Sequence, residues 1–180
     1  NPTSAKDDPV LAMEACRKPI IGAINGVAIT GGFEVALACD VLIASVNARF
    51  ADTHARVGIM PGWGLSAKLS RAIGLMRAKE LSLSGNFLDA RTAYEWGLVN
   101  RVVEVDDLAP AARKLAHDMA SIDPTISRTY KKLIDDGDKL SAGEARRLET
   151  ETTKALNAAV TPDSIAERRQ QVQARGRSQG

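Results

Sequence analysis

Cysteine, histidine and net charge are all scarce in this chain: 180 residues hold 2 cysteines and 2 histidines, and 24 Lys+Arg stand against 22 Asp+Glu. Cys16 and Cys39 are too few for a disulfide scaffold and lack the close spacing of a metal knuckle, so two buried thiols in a reducing compartment is the preferred reading. A net charge of +2 removes the electrostatic case for nucleic acid or an anionic membrane as the main partner, because both need a concentrated basic face. No run approaches the roughly 18 consecutive apolar residues of a membrane helix. The segment Asn1 to Asp8 is polar and acidic where a signal peptide is basic and then apolar, so a cytoplasmic protein is expected. The opening residue is not Met, which suits a fragment or a processed product.

What is present is apolar residues, 44% of the total, enough for one ordinary domain with an appendage. At this length a folded chain buries roughly 70% of the surface that its unfolded form exposes. Residues 9 to 17 read as a helix stopped by Lys18-Pro19, since the residue before a proline is pushed out of the helical region. The apolar run Ile20 to Ile29 lacks polar alternation and suits a strand buried on both faces. Thr30-Gly31-Gly32 breaks it, a helix follows from Phe33 to Cys39, and Asp40 leads into a second apolar strand, Val41 to Ser45. A loop punctuated by glycine and proline runs from Phe50 to Gly64. Helices are expected over Leu65 to Ile73, Met76 to Leu83 and Ala90 to Trp96, the last capped by Asp89 and ended by Gly97, with a strand from Leu98 to Val103. From Asp106 onward the pattern is helical only: Leu108 to Ala120, Pro124 to Ile134, a helix opened by the capping box Ser141 to Glu144 and running to Ala159, and a last one from Thr161-Pro162 towards Ala174. The composition therefore changes near residue 104, mixed α/β before it and helical after it.

The most informative stretch is Ile29-Thr30-Gly31-Gly32-Phe33-Glu34. A strand that ends in two glycines and opens a helix leaves backbone N–H groups free, with the positive end of the helix dipole behind them. Glu34 in the first turn puts a carboxylate beside whatever those amides hold, the makings of a site that stabilises an enolate and moves a proton next to it. The same residues also suit a tight turn followed by an acid that the dipole favours. A dinucleotide fold lacks its Gly-x-Gly-x-x-Gly here, and a P-loop lacks Gly-Lys-Ser/Thr. The second stretch is Asp52-Thr53-His54-Ala55-Arg56, where a loop imidazole and a carboxylate two residues away can share a proton; a loop histidine of purely structural use is the alternative. His117 sits mid-helix beside Lys114 and Asp118, as a solvated residue does. Cys39 lies in the apolar part of a helix, the wrong place for a thiol nucleophile.

Taken together, Lys18-Pro19-Ile20-Ile21-Gly22-Ala23-Ile24-Asn25-Gly26, then Gly31-Gly32-Phe33-Glu34-Val35-Ala36-Leu37-Ala38-Cys39-Asp40, then Phe50 and Pro61-Gly62-Trp63-Gly64 resemble the crotonase (enoyl-CoA hydratase/isomerase) superfamily. The similarity continues through Ala78-Lys79-Glu80-Leu81, Ser84-Gly85, Ala90 and Gly97-Leu98-Val99-Asn100. The resemblance implies an α/β fold, a crotonase-like ββα spiral core whose C-terminal part is residues 1–103, followed by a helical trimerisation region over 104–180. It implies an acyl-CoA substrate, no separate cofactor or metal, and a homotrimer or hexamer. Gly31 would supply one oxyanion N–H, Glu34 would be one of the two acid/base glutamates, and Ile29, Gly62 and Trp63 would line the acyl site. The second glutamate is replaced by His54, and Trp63 stands where a small residue is usual. The other oxyanion N–H and much of the coenzyme A surface belong to a family N-terminal portion that this chain lacks. The expected activity is hydration of a 2-enoyl-CoA, with a double-bond isomerase or a non-catalytic acyl-CoA-binding subunit as alternatives.

Overall fold

A computed structural model of the chain describes residues 8–158 and 162–179. It opens with α1 (Pro9–Glu14), where the Asp8 carboxylate accepts from the N–H groups of Val10 and Leu11 and Pro9 occupies the first turn. The helix ends three residues short of the expected stop at residue 17. Only Val10 in it is buried, so little holds a further turn.

The apolar run after Pro19 is two strands, not the single strand expected. They are β1 (Ile21–Ile24) and β2 (Val27–Ile29), and they join different sheets. The break falls at Asn25-Gly26, whose carbonyls turn aside to accept from the Ser45 hydroxyl (3.4 Å) and the Arg49 N–H (3.0 Å). Burial on both faces does not hold for β2 either: Ala28 is buried, but Val27 is 62% exposed. The first sheet is parallel, with β3 (Val41–Ser45) between β1 and β6 (Arg101–Val103), in a register that pairs Ile21 with Val41 and Ile43 with Arg101. The second sheet has β4 (Arg49–Ala51) between β2, to which it is parallel, and β5 (Leu88–Asp89), to which it is antiparallel. At three and two residues, β4 and β5 are too short to carry a periodic signal.

Helix α2 (Gly31–Leu37) crosses from β2 to β3, giving the α/β unit read from the sequence. Its Phe33 meets Phe50 of β4, both fully buried, with ring centroids 5.6 Å apart and tilted by 46°. Around this pair pack Leu65 and Leu69 of α4 (Leu65–Ile73) and Leu81 of α5 (Leu75–Ser84). Between β4 and α4 the expected loop contains a short helix, α3 (His54–Val57). Asp89 caps α6 (Ala90–Glu95), and the N–H and hydroxyl of Thr92 that bond its carboxylate hold it below the usual carboxylate range. Gly97, at φ 84°, closes that helix in the left-handed conformation, with the Leu98 N–H returning to the Ala93 carbonyl. Helix α7 (Leu108–Ala120) packs on β1 and β3.

Two compact units are resolved, the first ending at Arg128 and the second beginning at Thr129. The boundary lies inside α8 (Pro124–Gly137). The second unit contains α9 (Ala142–Asn157), opened by the expected capping box: Glu144 accepts from the Ser141 N–H, and the Ser141 hydroxyl accepts from the Glu144 N–H. Helix α10 (Pro162–Gln179) follows. The expected N-cap Thr161 and the helix end at Ala159 lie outside the described residues. No strand follows β6 among the described residues. Cys16 and Cys39 are free and half-buried rather than fully buried. Burial, with Asp40 adding to it, pushes the Cys39 thiol up, away from nucleophilic use.

Candidate active site

The site follows from one piece of strand pairing. Because β2 and β4 run parallel with Ile29 opposite Ala51, both strands end side by side, and the chain leaves each at the same edge of the sheet. Beyond Ile29 come Thr30, Gly31 and α2 with Glu34; beyond Ala51 come Asp52, Thr53 and α3 with His54. Carboxyl ends of parallel strands are where α/β sheets place their ligand sites. Here that edge brings together residues 20 positions apart in sequence.

Glu34, Asp52 and His54 are 2%, 3% and 5% exposed. His54 is the first residue of α3 and buried, not the loop residue that the glycine-rich context suggests. Its Nδ1 lies 2.7 Å from Oδ1 of Asp52, which also accepts the backbone N–H of His54 at 3.2 Å. A carboxylate accepts only, so Nδ1 carries the proton of that bond and Nε2 is left to face inward. Nε2 lies 3.6 Å from Oε2 of Glu34, and Oε1 of Glu34 accepts the backbone N–H of Trp63 at 2.7 Å. The result is a buried line from Asp52 through the imidazole to Glu34, each carboxylate fixed at one oxygen by a further N–H. Between Nε2 and Oε2 the separation exceeds a hydrogen bond and leaves both atoms available to a third group.

Gly31 opens the same helix. The Thr30 N–H goes to the Ala51 carbonyl, and the N–H groups of Phe33 and Glu34 go to the Thr30 carbonyl, which leaves Gly31 and Gly32 as the amides without a helical acceptor. The Trp63 ring lies against Gly31 so closely that a Cβ there would stand 3.1 Å from Cζ3, and any larger residue would require the ring to give way. Trp63 thus touches both ends of the site, with its ring on Gly31 and its N–H on Glu34. Gly62 is exposed with open space about its Cα, and Ile29 is 37% exposed at the end of β2. His117 is exposed on α7, as the sequence indicated. A groove of about 670 Å³ between α6 and β6, lined by Asp89, Tyr94 and Arg101 among others, includes none of the site residues. No metal cluster occurs among the described residues. Sequence reasoning missed two contributors: the Trp63 backbone N–H, which has no side-chain signature, and the hydroxyl pair Thr30 and Thr53, which lie 2.6 Å apart.

The sequence and the fold are similar to those of known proteins. A family model described as enoyl-CoA hydratase/isomerase matches residues 2–173. A probable peroxisomal enoyl-CoA hydratase of Arabidopsis thaliana is 47% identical over 94% of this chain and 64% of its own length. The short-chain-enoyl-CoA hydratase of Clostridium acetobutylicum is 38% identical over 77% of this chain and 53% of its own. The chain thus spans between half and two thirds of these relatives. Among solved structures, an enoyl-CoA hydratase from Bacillus anthracis superposes with a TM-score of 0.81 at 35% identity, covering 87% of this chain and 60% of that one. An enoyl-CoA hydratase subunit from Geobacillus kaustophilus gives 0.80 at 32% identity, over 86% and 65%. With residues 2–173 matched by the family model and the fold shared with solved members, the chain belongs to the enoyl-CoA hydratase/isomerase family, within the crotonase superfamily.

Proposed function

We propose that this chain carries the acid-base centre of an enzyme that adds water across the double bond of a 2-enoyl-CoA. The observation that carries the reading is the buried pair of facing atoms, Glu34 Oε2 and His54 Nε2, 3.6 Å apart at the helix that opens with Gly31. In the forward direction ionised Glu34 takes a proton from water as its oxygen bonds to C3. The π electrons of the C2=C3 bond move onto C2 and the thioester carbonyl, forming an enolate whose oxygen accepts from the Gly31 N–H. The enolate collapses as C2 takes a proton from His54 Nε2, the ring entering the cycle as the imidazolium with a proton on each nitrogen and leaving it neutral with Nδ1–H kept on Asp52. Glu34 then holds a proton that His54 needs, and their proximity lets it return through one bridging molecule, restoring both groups. Ile29, Gly62 and Trp63 form the acyl side of the site, Trp63 by standing over Gly31.

Crotonyl-CoA supplied to the full-length protein tests this: loss of the absorbance of the conjugated thioester with formation of the 3-hydroxyacyl product is the expected result. A 3-enoyl product would assign the isomerase reaction, and binding without turnover a non-catalytic subunit. The relatives named above are called hydratases, which supports the first outcome.

A homotrimer, or a hexamer of two such trimers, forms through the helical region in this reading. Helix α9 has no buried residue in the isolated chain although Leu148, Ala155 and Leu156 recur on it at helical spacing, a stripe that a second copy would cover. Light scattering at micromolar concentration should give at least three times the protomer mass, and Leu148→Asp combined with Leu156→Asp should lower it; a monomeric wild type would sink the assembly. No helix among the described residues is long and apolar enough to cross a membrane. A cytoplasmic location is proposed from the two free thiols, although relatives carry peroxisomal and mitochondrial names.

A further inference from the structure

Thr30 is the one described non-glycine residue with positive φ, at φ 51° and ψ −122°. That conformation is glycine territory, and for a β-branched residue it is an outlier that persists only where the surroundings over-determine it. Its surroundings do. The Thr30 N–H is taken by the Ala51 carbonyl, its own carbonyl receives two N–H groups, and its hydroxyl lies 2.6 Å from that of Thr53. A threonine before a helix ordinarily spends its hydroxyl on the helix's own free amides; this one makes no such cap bond. Glycine at position 30 would adopt the backbone without strain but would bring no hydroxyl. What the strained threonine supplies is therefore the link to Thr53. The placement of that link is specific: Thr30 immediately precedes Gly31, and Thr53 immediately precedes His54.

We propose that the Thr30 and Thr53 hydroxyls form a clamp that holds the oxyanion amide of Gly31 in register with the acid-base imidazole of His54. The proposal rests on the hydratase reading for its catalytic consequence and on the structure alone for the clamp. Both threonines are positioning residues: neither needs to meet substrate, and each acts through the residue that follows it. Without the clamp, α2 and α3 are still joined at the strand ends by the bond from Thr30 N–H to Ala51, which is long at 3.3 Å, so the two halves of the site can drift by a fraction of an ångström to an ångström. Misplacement on that scale costs up to about 10²-fold in rate.

The test uses three variants of the full-length protein and their combination. Thr30→Gly and Thr53→Ala are each expected to lower kcat on crotonyl-CoA by about tenfold or more, with a much smaller change in KM. Combining them should cost no more than the worse single change, since a clamp can be cut only once. Thr30→Ser, which keeps the hydroxyl, should rescue most of the rate. Thermal melting gives a readout that a merely structural tie would not reproduce: Thr30→Gly relieves the strained backbone, so Tm should hold or rise while kcat falls. Thr53→Ala should lower Tm in the wild-type background and leave it unchanged in Thr30→Gly. Additive changes in Tm would overturn the clamp, and full kcat in Thr30→Gly would overturn its role in positioning. A wild type without crotonyl-CoA turnover would remove the hydratase reading instead, and the thermal cycle would still decide the clamp.

Discussion

Glu34→Gln is expected to leave folding intact and to lower kcat by at least about 10²-fold, the lower end of what removing a general base costs. The structure explains why the two effects should separate. Oε1 of Glu34 does structural work, accepting the Trp63 N–H at 2.7 Å, and an amide oxygen can accept that bond equally well. Oε2 faces His54 Nε2 and makes no bond that the fold needs. An amide placed there has the shape of the carboxylate but cannot accept a proton from water. Glu34→Ala makes the complementary case: it removes the acceptor of a half-buried N–H as well as the base, so Tm should fall along with the rate. A melting curve unchanged in the glutamine variant, together with a kcat depressed at saturating crotonyl-CoA, is the expected pair of results. Turnover near the wild-type rate in Glu34→Gln would take this residue out of the mechanism.

Much of this arrangement is legible in the sequence, and the parts that are not share a physical reason. Helices α4 and α7 match the expected bounds, and β3 does too, because apolar spacing, the capping residues and flanking turn residues all agree over those spans. The helix expected from Phe33 to Cys39 is present but runs from Gly31 to Leu37, because the two glycines read as a break form its first turn. The apolar run from Ile20 to Ile29 misleads because a continuous run reports burial and says nothing about which sheet each half joins. His54 is read as a loop residue since α3 is four residues long, shorter than any periodic signal. Above all, the site depends on β2 lying parallel to β4, a pairing between residues about 20 apart that composition cannot show. The strain at Thr30 is likewise invisible from the chain alone: threonine before Gly-Gly reads as part of the break after the strand, and only the backbone angles and the Thr53 hydroxyl reveal another use.

His54 stands where the resemblance implies a second glutamate, and it carries the second large effect. The useful variant is His54→Asn. The asparagine amide nitrogen falls near the position of Nδ1 and can still donate to Asp52, while the atom facing Glu34, Nε2, is deleted. Tm should stay close to that of the wild type, and kcat should fall by at least about 10²-fold, as expected when a general acid is lost. His54→Ala is a poorer probe. It leaves the Asp52 carboxylate, 3% exposed, with only the 3.2 Å backbone bond, and an unpartnered buried charge is costly in its own right.

The structure also changes what His54→Glu should do. From the sequence, a glutamate at this position restores the family's pair of carboxylates. In the folded chain it would stand between Asp52 and Glu34, setting three carboxylates against one another in a site from which water is largely excluded, where like charges repel strongly. The single variant is therefore expected to melt lower than the wild type and to stay slow. Adding Asp52→Asn removes the third negative charge and offers an amide that can donate to the new carboxylate, so the double variant should recover rate relative to His54→Glu alone. That ordering, with the double variant faster than the single, follows only if the Asp52 charge bears on the side chain at position 54. Equal rates in the two would show that the Asp52 charge does not hold back a carboxylate at position 54, and a His54→Asn enzyme with undiminished kcat would return the whole of the proton transfer to Glu34.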